Sequence, residues 1–396
     1  MNHRVFVTGL GIISAIGNGT EETLKSLFAL KSGIGPLSLF ESVHHNIPVA
    51  QIRYSDSELA LLAALNNSKK DYTRNSLLSL IASKQALASS GWKDAEEKRT
   101  GAVFATTVGG MDYNEKYYKS LLSSSEYKDY IRLFDSSDSS EKVASYHGIR
   151  RHITTISTAC SSSANAILTG SRMIKNGLVD RVLAGGNDSL TRFTLNGFFA
   201  LEILSPTGCR PFDMNRNGLT IGEGAAFLVL ESEKTADPAK VICEVTGYAN
   251  VNEAFHATAS SEEGLGAAMA MSQALASAGL QPSEISYINA HGTGTEINDL
   301  SEGTAIGRVF SGAIPPVSST KGFTGHTLGA AGAVEAVFSA LAIQNNLLLP
   351  ALNFSQRMPE LDFEPQIKTE TAVVKNVMSN SFGFGGSNTT LIFSKV

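Results

Sequence analysis

Two hydrophobic periods alternate along this chain. Short β-branched or aliphatic runs at 4–7, 101–106, 152–156, 180–186 and 227–230, bounded by glycine or polar residues, carry the signature of strands. Between them, apolar positions recur at helical spacing. Leu24, Leu27 and Leu30 follow the cap Asn18-Gly19-Thr20; Leu77, Leu80, Ile81 and Leu87 run up to Ser90-Gly91; Ala164, Ile167, Leu168 and Ile174 run up to Asn176-Gly177. Beyond a charged stretch at 231–240 the alternation resumes. Strands are expected at 240–245, 285–289, 316–320, 372–377 and 390–393, and helices at 264–278 and 330–343. Such alternation predicts an α/β fold. The halves echo each other. A β-branched strand, a polar turn and a small-residue helix run over 155–174 in one and 317–343 in the other, and later strands lead into Gly185-Gly186 and Gly385-Gly386. The echo predicts a duplicated unit, divided as 1–235 and 236–396.

Composition narrows the function. A chain of 396 residues, 42% hydrophobic and 17% charged, can bury a large core. Its net charge of −5 supplies no field for nucleic acid. No apolar run of about 18 residues stands out, so no membrane span is expected. The first strand begins too early for a signal peptide. Cys160, Cys209 and Cys243 share no close spacing, so neither a metal site nor a disulfide framework is expected, and a reducing, cytoplasmic setting fits. Gly9-Leu10-Gly11 lacks the third glycine of a dinucleotide loop.

Candidate chemistry gathers at turns after strands. Cys160 sits where the strand at 152–156 gives way to a helix, a place where backbone N–H groups and the helix dipole favour a thiolate. A nucleophile is one reading of such a cysteine; a buried structural residue is the other. His291 and His326 each follow a strand among small residues, with Lys321 near the second. A thiol with two histidines suits acyl transfer, a cationic or hydrogen-bonding setting would lower the thiol pKa, and two ring N–H donors would hold an oxyanion or enolate. His3, His44, His45, His147, His152 and His256 lack that setting and are read as surface or core residues. The Ser- and Tyr-rich stretch 112–142 is read as surface helix and loop.

Four ordered motifs turn these hints into a resemblance. Thr158-Ala159-Cys160-Ser161-Ser162, Asn289-Ala290-His291-Gly292-Thr293-Gly294-Thr295, Lys321-Gly322-Phe323-Thr324-Gly325-His326 and Asn380-Ser381-Phe382-Gly383-Phe384-Gly385-Gly386-Ser387-Asn388 are similar in order and spacing to those of the β-ketoacyl-acyl carrier protein synthases, above all the elongating synthase II type. Arg210-Pro211-Phe212-Asp213, Gly222-Glu223-Gly224-Ala225 and Gly329-Ala330-Ala331-Gly332-Ala333-Val334-Glu335 extend the match nearly end to end.

The resemblance implies a thiolase-like fold of duplicated βαβαβαββ halves in five layers, α-β-α-β-α, working as a homodimer or as a heterodimer with a related synthase subunit. It implies a decarboxylative Claisen condensation. Cys160 would take the acyl chain from acyl carrier protein; His291 and His326 would assist decarboxylation of malonyl-carrier protein and hold the enolate oxygen. The N–H groups of Cys160 and Phe384 would form the oxyanion hole, and Phe384 would gate the second substrate. Lys321 with Glu335 would orient the site, Thr293 and Thr295 would touch the pantetheine arm, and Val108 and Phe198 would line the acyl tunnel. No cofactor is implied, because the 4'-phosphopantetheine belongs to the carrier. Lys69, Lys70 and Arg74 form a candidate basic patch for docking that acidic carrier.

Some positions depart from the family pattern. Ser163 replaces a usual glycine, Ile149-Arg150-Arg151-His152 a Gly-Leu-Arg-Gly-Pro pattern, Gly218-Leu219-Thr220 a Gly-Phe-Val, and Glu202 a basic docking residue. They keep a polyene or polyketide chain open as substrate beside a fatty acid. Two other readings stand beside it. A thiolase would carry a second cysteine near its end, and none follows Cys243. A non-catalytic chain-length-factor-like partner subunit typically has glutamine in place of the nucleophile.

Overall fold

A computed structural model of the chain describes residues 3–65, 72–92, 99–123 and 128–396. Its main sheet has eleven strands, ten along one path and a two-residue strand, Gly17–Asn18, paired to the end of the first. Strands β1 (Val5–Ser14), β2 (Thr100–Ala105), β3 (Ile153–Ile156), β4 (Arg181–Asp188) and β5 (Gly224–Ser232) lie in the order β3-β2-β4-β5-β1. Strands β6 (Cys243–Asn252), β7 (Tyr287–Asn289), β8 (Val317–Ser318), β9 (Asn376–Gly383) and β10 (Ser387–Ser394) repeat that order as β8-β7-β9-β10-β6. In each set the first two pairings are parallel and the last two antiparallel, so four strands run one way and one against them. The echo in the sequence is therefore a repeated topology. The sets meet where β1 pairs with β6, at Phe6↔Glu244 and Val7↔Cys243.

Helices complete five layers. Helix α1 (Arg74–Ser90) covers the outer face of the first set, α2 (Ser162–Lys175) and α5 (Ala331–Asn345) pack between the sets, and α3 (Leu265–Ala278) and α4 (Glu296–Val309) cover the second. The middle layer explains the composition of α5. A helix enclosed by strands on both sides has no wet face, so its sequence is apolar all round. The segment Leu328–Asn345 is in fact long and apolar enough to cross a membrane, unlike the sequence-based expectation, but 89% of it is buried inside the molecule.

Several predicted boundaries move, and glycine is the reason. Strand β1 continues to Ser14 through Gly9 and Gly11, read from sequence as a loop. A Cβ on Gly11 would lie 1.9 Å from the carbonyl oxygen of Ala82, and one on Gly9 2.2 Å from that of Ala86. These glycines admit α1 against the strand; they do not turn the chain. Gly185-Gly186 likewise lie inside β4. Strand β9 takes in Asn380 to Gly383, expected to be turn, and leaves only the tight turn Phe384–Gly386, with φ of 78° at Gly385 and Gly386. The stretch after Gly110 holds helices Met111–Tyr117 and Asp138–Tyr146 with 3-10 turns Tyr118–Leu122 and Lys128–Phe134.

Candidate active site

The chain turns sharply between β3 and α2. Ala159 takes a left-handed φ of 52°, a strained conformation for a residue with a side chain, and this sets Cys160 just ahead of the helix N-terminus. Hydroxyls stitch the turn: the Thr158 N–H donates to Ser162 Oγ (2.8 Å), and Ser162 Oγ donates to the Ala159 carbonyl (2.6 Å). Asn165 Nδ2 donates to Thr158 Oγ1 (2.9 Å) and Asn165 Oδ1 accepts from Thr389 Oγ1 (3.0 Å), tying the turn to β10. Gly383 closes on it from β9, so near that a Cβ there would lie 3.1 Å from the nitrogen of Cys160. The N–H groups of Phe384 and of Cys160 itself thereby reach the Cys160 sulfur.

Cys160 is 7% exposed. Burial pushes its thiol up to about 11, against the pull of the Lys321 charge and of those two N–H groups. The cation and the donors pull in the direction expected from sequence, but desolvation outweighs them. Cys209 and Cys243, deep in the core, are pushed higher still, chiefly by burial. Ser163, the departure at this motif, is fully buried, and its Oγ accepts the N–H of Ala333 in the first turn of α5 (2.8 Å).

The structure brings His291, His326 and Lys321 to the same centre. Cys160 Sγ and a ring nitrogen of each histidine lie within 4.8 Å of one another, and the rings stand at 85° with centroids 5.2 Å apart. The Leu328 N–H donates to His326 Nδ1 (3.2 Å), so His326 bears its hydrogen on Nε2, which has no partner among the described residues. Lys321 Nζ donates to the His291 carbonyl (2.6 Å) and to the Glu335 carboxylate, and stands 3.2 Å from His291 Nδ1. An ammonium facing Nδ1 leaves the hydrogen of His291 on Nε2 as well. Burial and the Lys321 charge hold both imidazoles well below their ordinary pKa, so both are neutral donors. Burial pushes Glu335 up to about 7 against the pull of Lys321.

Three buried carboxylates hold these turns, and none was singled out from sequence. Glu302 accepts the N–H groups of His291 (2.9 Å) and Gly292 (2.7 Å). Asp299 accepts those of Phe212 (2.7 Å) and Gly294 (3.1 Å). Asp188 accepts those of Thr107 (2.9 Å), Val108 (3.0 Å) and Gly329 (2.7 Å). Asp299 and Glu302 stand three apart on α4, on one helix face just after the His291 motif, and that spacing was the available signal.

A cavity of about 390 Å³ opens over the centre, lined by Cys160, His291, His326, Thr293, Thr295, Phe198, Glu202 and Phe384 among others. The hydroxyls of Thr293 and Thr295 are 2.9 Å apart, and the Phe198 and Phe384 rings stack with centroids 6.0 Å apart. Val108 is buried behind this wall, in an apolar cluster with Leu190, Leu195, Leu219, Ile221 and Leu328 against which Phe198 packs. Arg74 requires a correction. It is 3% exposed, with Nε and Nη2 on Glu223 (2.8 and 2.7 Å) and Nη1 on Asp56 (3.0 Å), so it presents no charge for docking. Lys69 and Lys70 lie outside the described residues.

Comparison with known proteins gives a consistent picture. Residues 2–236 match Beta-ketoacyl synthase, N-terminal domain, and residues 242–355 match Beta-ketoacyl synthase, C-terminal domain. The chain is 35% identical over 412 residues to nodulation protein E of Rhizobium meliloti (strain 1021), covering 100% of both chains. It is 32% identical over 415 residues to 3-oxoacyl-[acyl-carrier-protein] synthase 2 of Staphylococcus aureus (strain N315), covering 100% of this chain and 99% of that one. Among solved structures, a chain of the ishigamide ketosynthase/chain length factor superposes with a TM-score of 0.91 at 30% identity, and a beta-ketoacyl synthase from Burkholderia phymatum STM815 with 0.89 at 29%, each over 100% of both chains.

Proposed function

The chain belongs to the β-ketoacyl synthase family and is a condensing acyltransferase; from that premise we propose that it joins an acyl chain carried on Cys160 to malonyl-acyl carrier protein with loss of CO₂. The Cys160 thiol gives up its proton as its sulfur attacks the incoming thioester, the thioester C–S bond breaks, and that proton leaves on the pantetheine sulfur as the thiol. The tetrahedral oxyanion is held by the N–H groups of Cys160 and Phe384. Malonyl thioester then enters past Phe384, whose glycine neighbours let the turn move. Its carboxylate leaves as CO₂, and the bonding pair passes into an enolate whose oxygen sits between the Nε2–H donors of His291 and His326. The enolate carbon attacks the Cys160 thioester, the new C–C bond forms, the C–S bond breaks and the thiolate returns. Lys321 and Glu335 keep His291 in its tautomer, and Thr293 and Thr295 meet the pantetheine arm.

One observation carries this reading: a thiol at a helix N-terminus and two neutral N–H donors share one cavity. The partner is then an acyl carrier protein, and the working unit a homodimer or a heterodimer with a related subunit. Three free cysteines suit a cytoplasmic setting. The chain is about equally similar to nodulation protein E and to 3-oxoacyl-[acyl-carrier-protein] synthase 2, so the reading covers fatty acyl and polyketide-like chains alike. Condensation of acyl- and malonyl-carrier proteins, read by product mass, tests the reading. Cys160→Gln is expected to abolish the β-ketoacyl product while keeping or raising malonyl decarboxylation; unchanged condensation would refute it.

A further inference from the structure

Of the three buried carboxylates beside the centre, Asp188 joins two turns that lie far apart in the chain. It is the last residue of β4 and is fully buried. Its Oδ1 accepts the Thr106 hydroxyl (2.6 Å) and the N–H groups of Thr107 (2.9 Å) and Val108 (3.0 Å). Its Oδ2 accepts the Thr107 hydroxyl (2.5 Å) and the Gly329 N–H (2.7 Å). The array suits the ionised acid, since a protonated oxygen would meet only other donors.

The Gly329 contact is the one that reaches the catalytic centre. Gly329 follows Leu328, whose φ of 53° is strained for a residue with a side chain. Such a backbone persists only where its surroundings hold it. On one side the Leu328 N–H meets His326 Nδ1 (3.2 Å); on the other the Gly329 N–H meets Asp188. Gly329 is also pressed against that carboxylate, for a Cβ there would lie 2.8 Å from Asp188 Oδ2 and 3.1 Å from the nitrogen of Thr107. The backbone of His326 is pinned elsewhere. Its N–H donates to the Thr220 carbonyl (2.6 Å), and its carbonyl accepts the Gly222 N–H (2.9 Å). The 328–329 turn therefore decides the tautomer of His326 rather than its place. With a donor at Nδ1 the ring hydrogen sits on Nε2, where an enolate oxygen needs it. With that donor withdrawn, Nδ1 can take the hydrogen, and Nε2 then offers the enolate a lone pair.

We propose that Asp188 is a positioning residue for His326: by holding the Gly329 N–H it keeps the Leu328 N–H on Nδ1, and so keeps the Nε2–H donor facing the enolate. The inference rests on the condensing reading above and deepens it. Asp188 touches neither substrate nor reacting atoms. Acyl transfer to Cys160 uses the N–H groups of Cys160 and Phe384 and does not depend on it, whereas decarboxylation does.

Two half-reactions, measured on one enzyme sample, test this. Acyl transfer from acyl-carrier protein to Cys160 is followed by the mass of the enzyme, and decarboxylation of malonyl-carrier protein by release of CO₂ from the acylated enzyme. In Asp188→Asn the amide oxygen goes to the side with three donors, and the NH₂ group faces the Gly329 N–H, donor against donor. Decarboxylation at saturating malonyl-carrier protein is expected to fall about a hundredfold, as on loss of one oxyanion donor, while acyl transfer and the KM for malonyl-carrier protein stay as in wild type. Misfolded enzyme lowers both rates alike, so their ratio isolates the effect on His326. Nitrogen NMR of histidine-labelled enzyme, with His326→Gln to assign the signals, reads the ring directly. Its hydrogen is expected on Nε2 in wild type and divided between the two nitrogens in the variant. A wild-type ring protonated on Nδ1 overturns the proposal, as does an asparagine variant in which both rates fall alike or neither falls. Asp188→Ala, which frees the same Gly329 N–H, takes the place of an asparagine variant that does not fold. Failure of both to fold would make Asp188 a folding residue alone and overturns the proposal too. Wild-type enzyme that fails in either half-reaction overturns the condensing reading instead.

Discussion

At the scale of single residues, reactivity at Cys160 comes from access and surrounding donors, because burial keeps its thiol mostly protonated. The thiolate is the reacting species, and with a thiol titrating at about 11 its fraction grows about tenfold per pH unit below that value. Iodoacetamide is accordingly expected to alkylate Cys160 well before Cys209 and Cys243, with a rate that climbs about tenfold per unit from about pH 7 to about pH 10. Peptide mass mapping over time measures both. Equal rates at the three cysteines, or a plateau near neutrality, would contradict this account. The groups gathered at the centre were legible in the sequence, since Cys160, His291, His326, Lys321 and Phe384 each sit in a motif of small residues after a strand. Their supports were not. Glu302 and Asp188 act on backbone N–H groups, which leave no mark on the residues they serve. Arg74 follows two lysines and looks like a surface cation, but its partner Glu223 lies 149 positions away.

At the scale of elements, the two enclosed helices are fastened to each other where they meet the site. The Ser163 hydroxyl on α2 accepts an N–H of the first turn of α5, a group that has no partner within its own helix. Ser163→Ala leaves that buried N–H unsatisfied and is expected to cost about 1–3 kcal/mol of stability, read as a lower midpoint in urea denaturation. A midpoint equal to wild type would show that the contact contributes nothing. The position that departs from the family pattern therefore has a structural task. Element types were legible from periodicity, because enclosed helices and two-faced strands differ in period. Their ends were less so. Gly9, Gly11 and Gly185 read as turn signals, yet each is a place where another backbone comes too close for a side chain, and at Gly383 the approach is tight.

At the scale of the whole molecule, the halves share one interior. The largest apolar cluster draws on Val5, Val103, Leu168 and Leu230 from one half and on Val245, Phe338, Val377 and Leu391 from the other. Residues 1–235 or 236–396 produced alone are expected to lack a cooperative thermal transition by circular dichroism, and co-expression of both to restore it; a sharp transition in either fragment alone would argue for an independent core. The duplication was visible in sequence as two strand–turn–helix units. Their joining was not, since the β1–β6 pairing spans well over two hundred positions without a motif at either end. That pairing also puts the molecule on a clock. Apart from a short pairing of its end with Gly17–Asn18, strand β1 has its strand partners among the described residues in β5 and β6, and the first of these leaves the ribosome roughly 210 residues later. At about 5–20 residues per second, the interval is about 10–40 s. Throughout it most of a ten-residue, fully buried strand lacks the strands that flank it in the sheet. During synthesis, this strand is the segment that chaperones have most reason to hold.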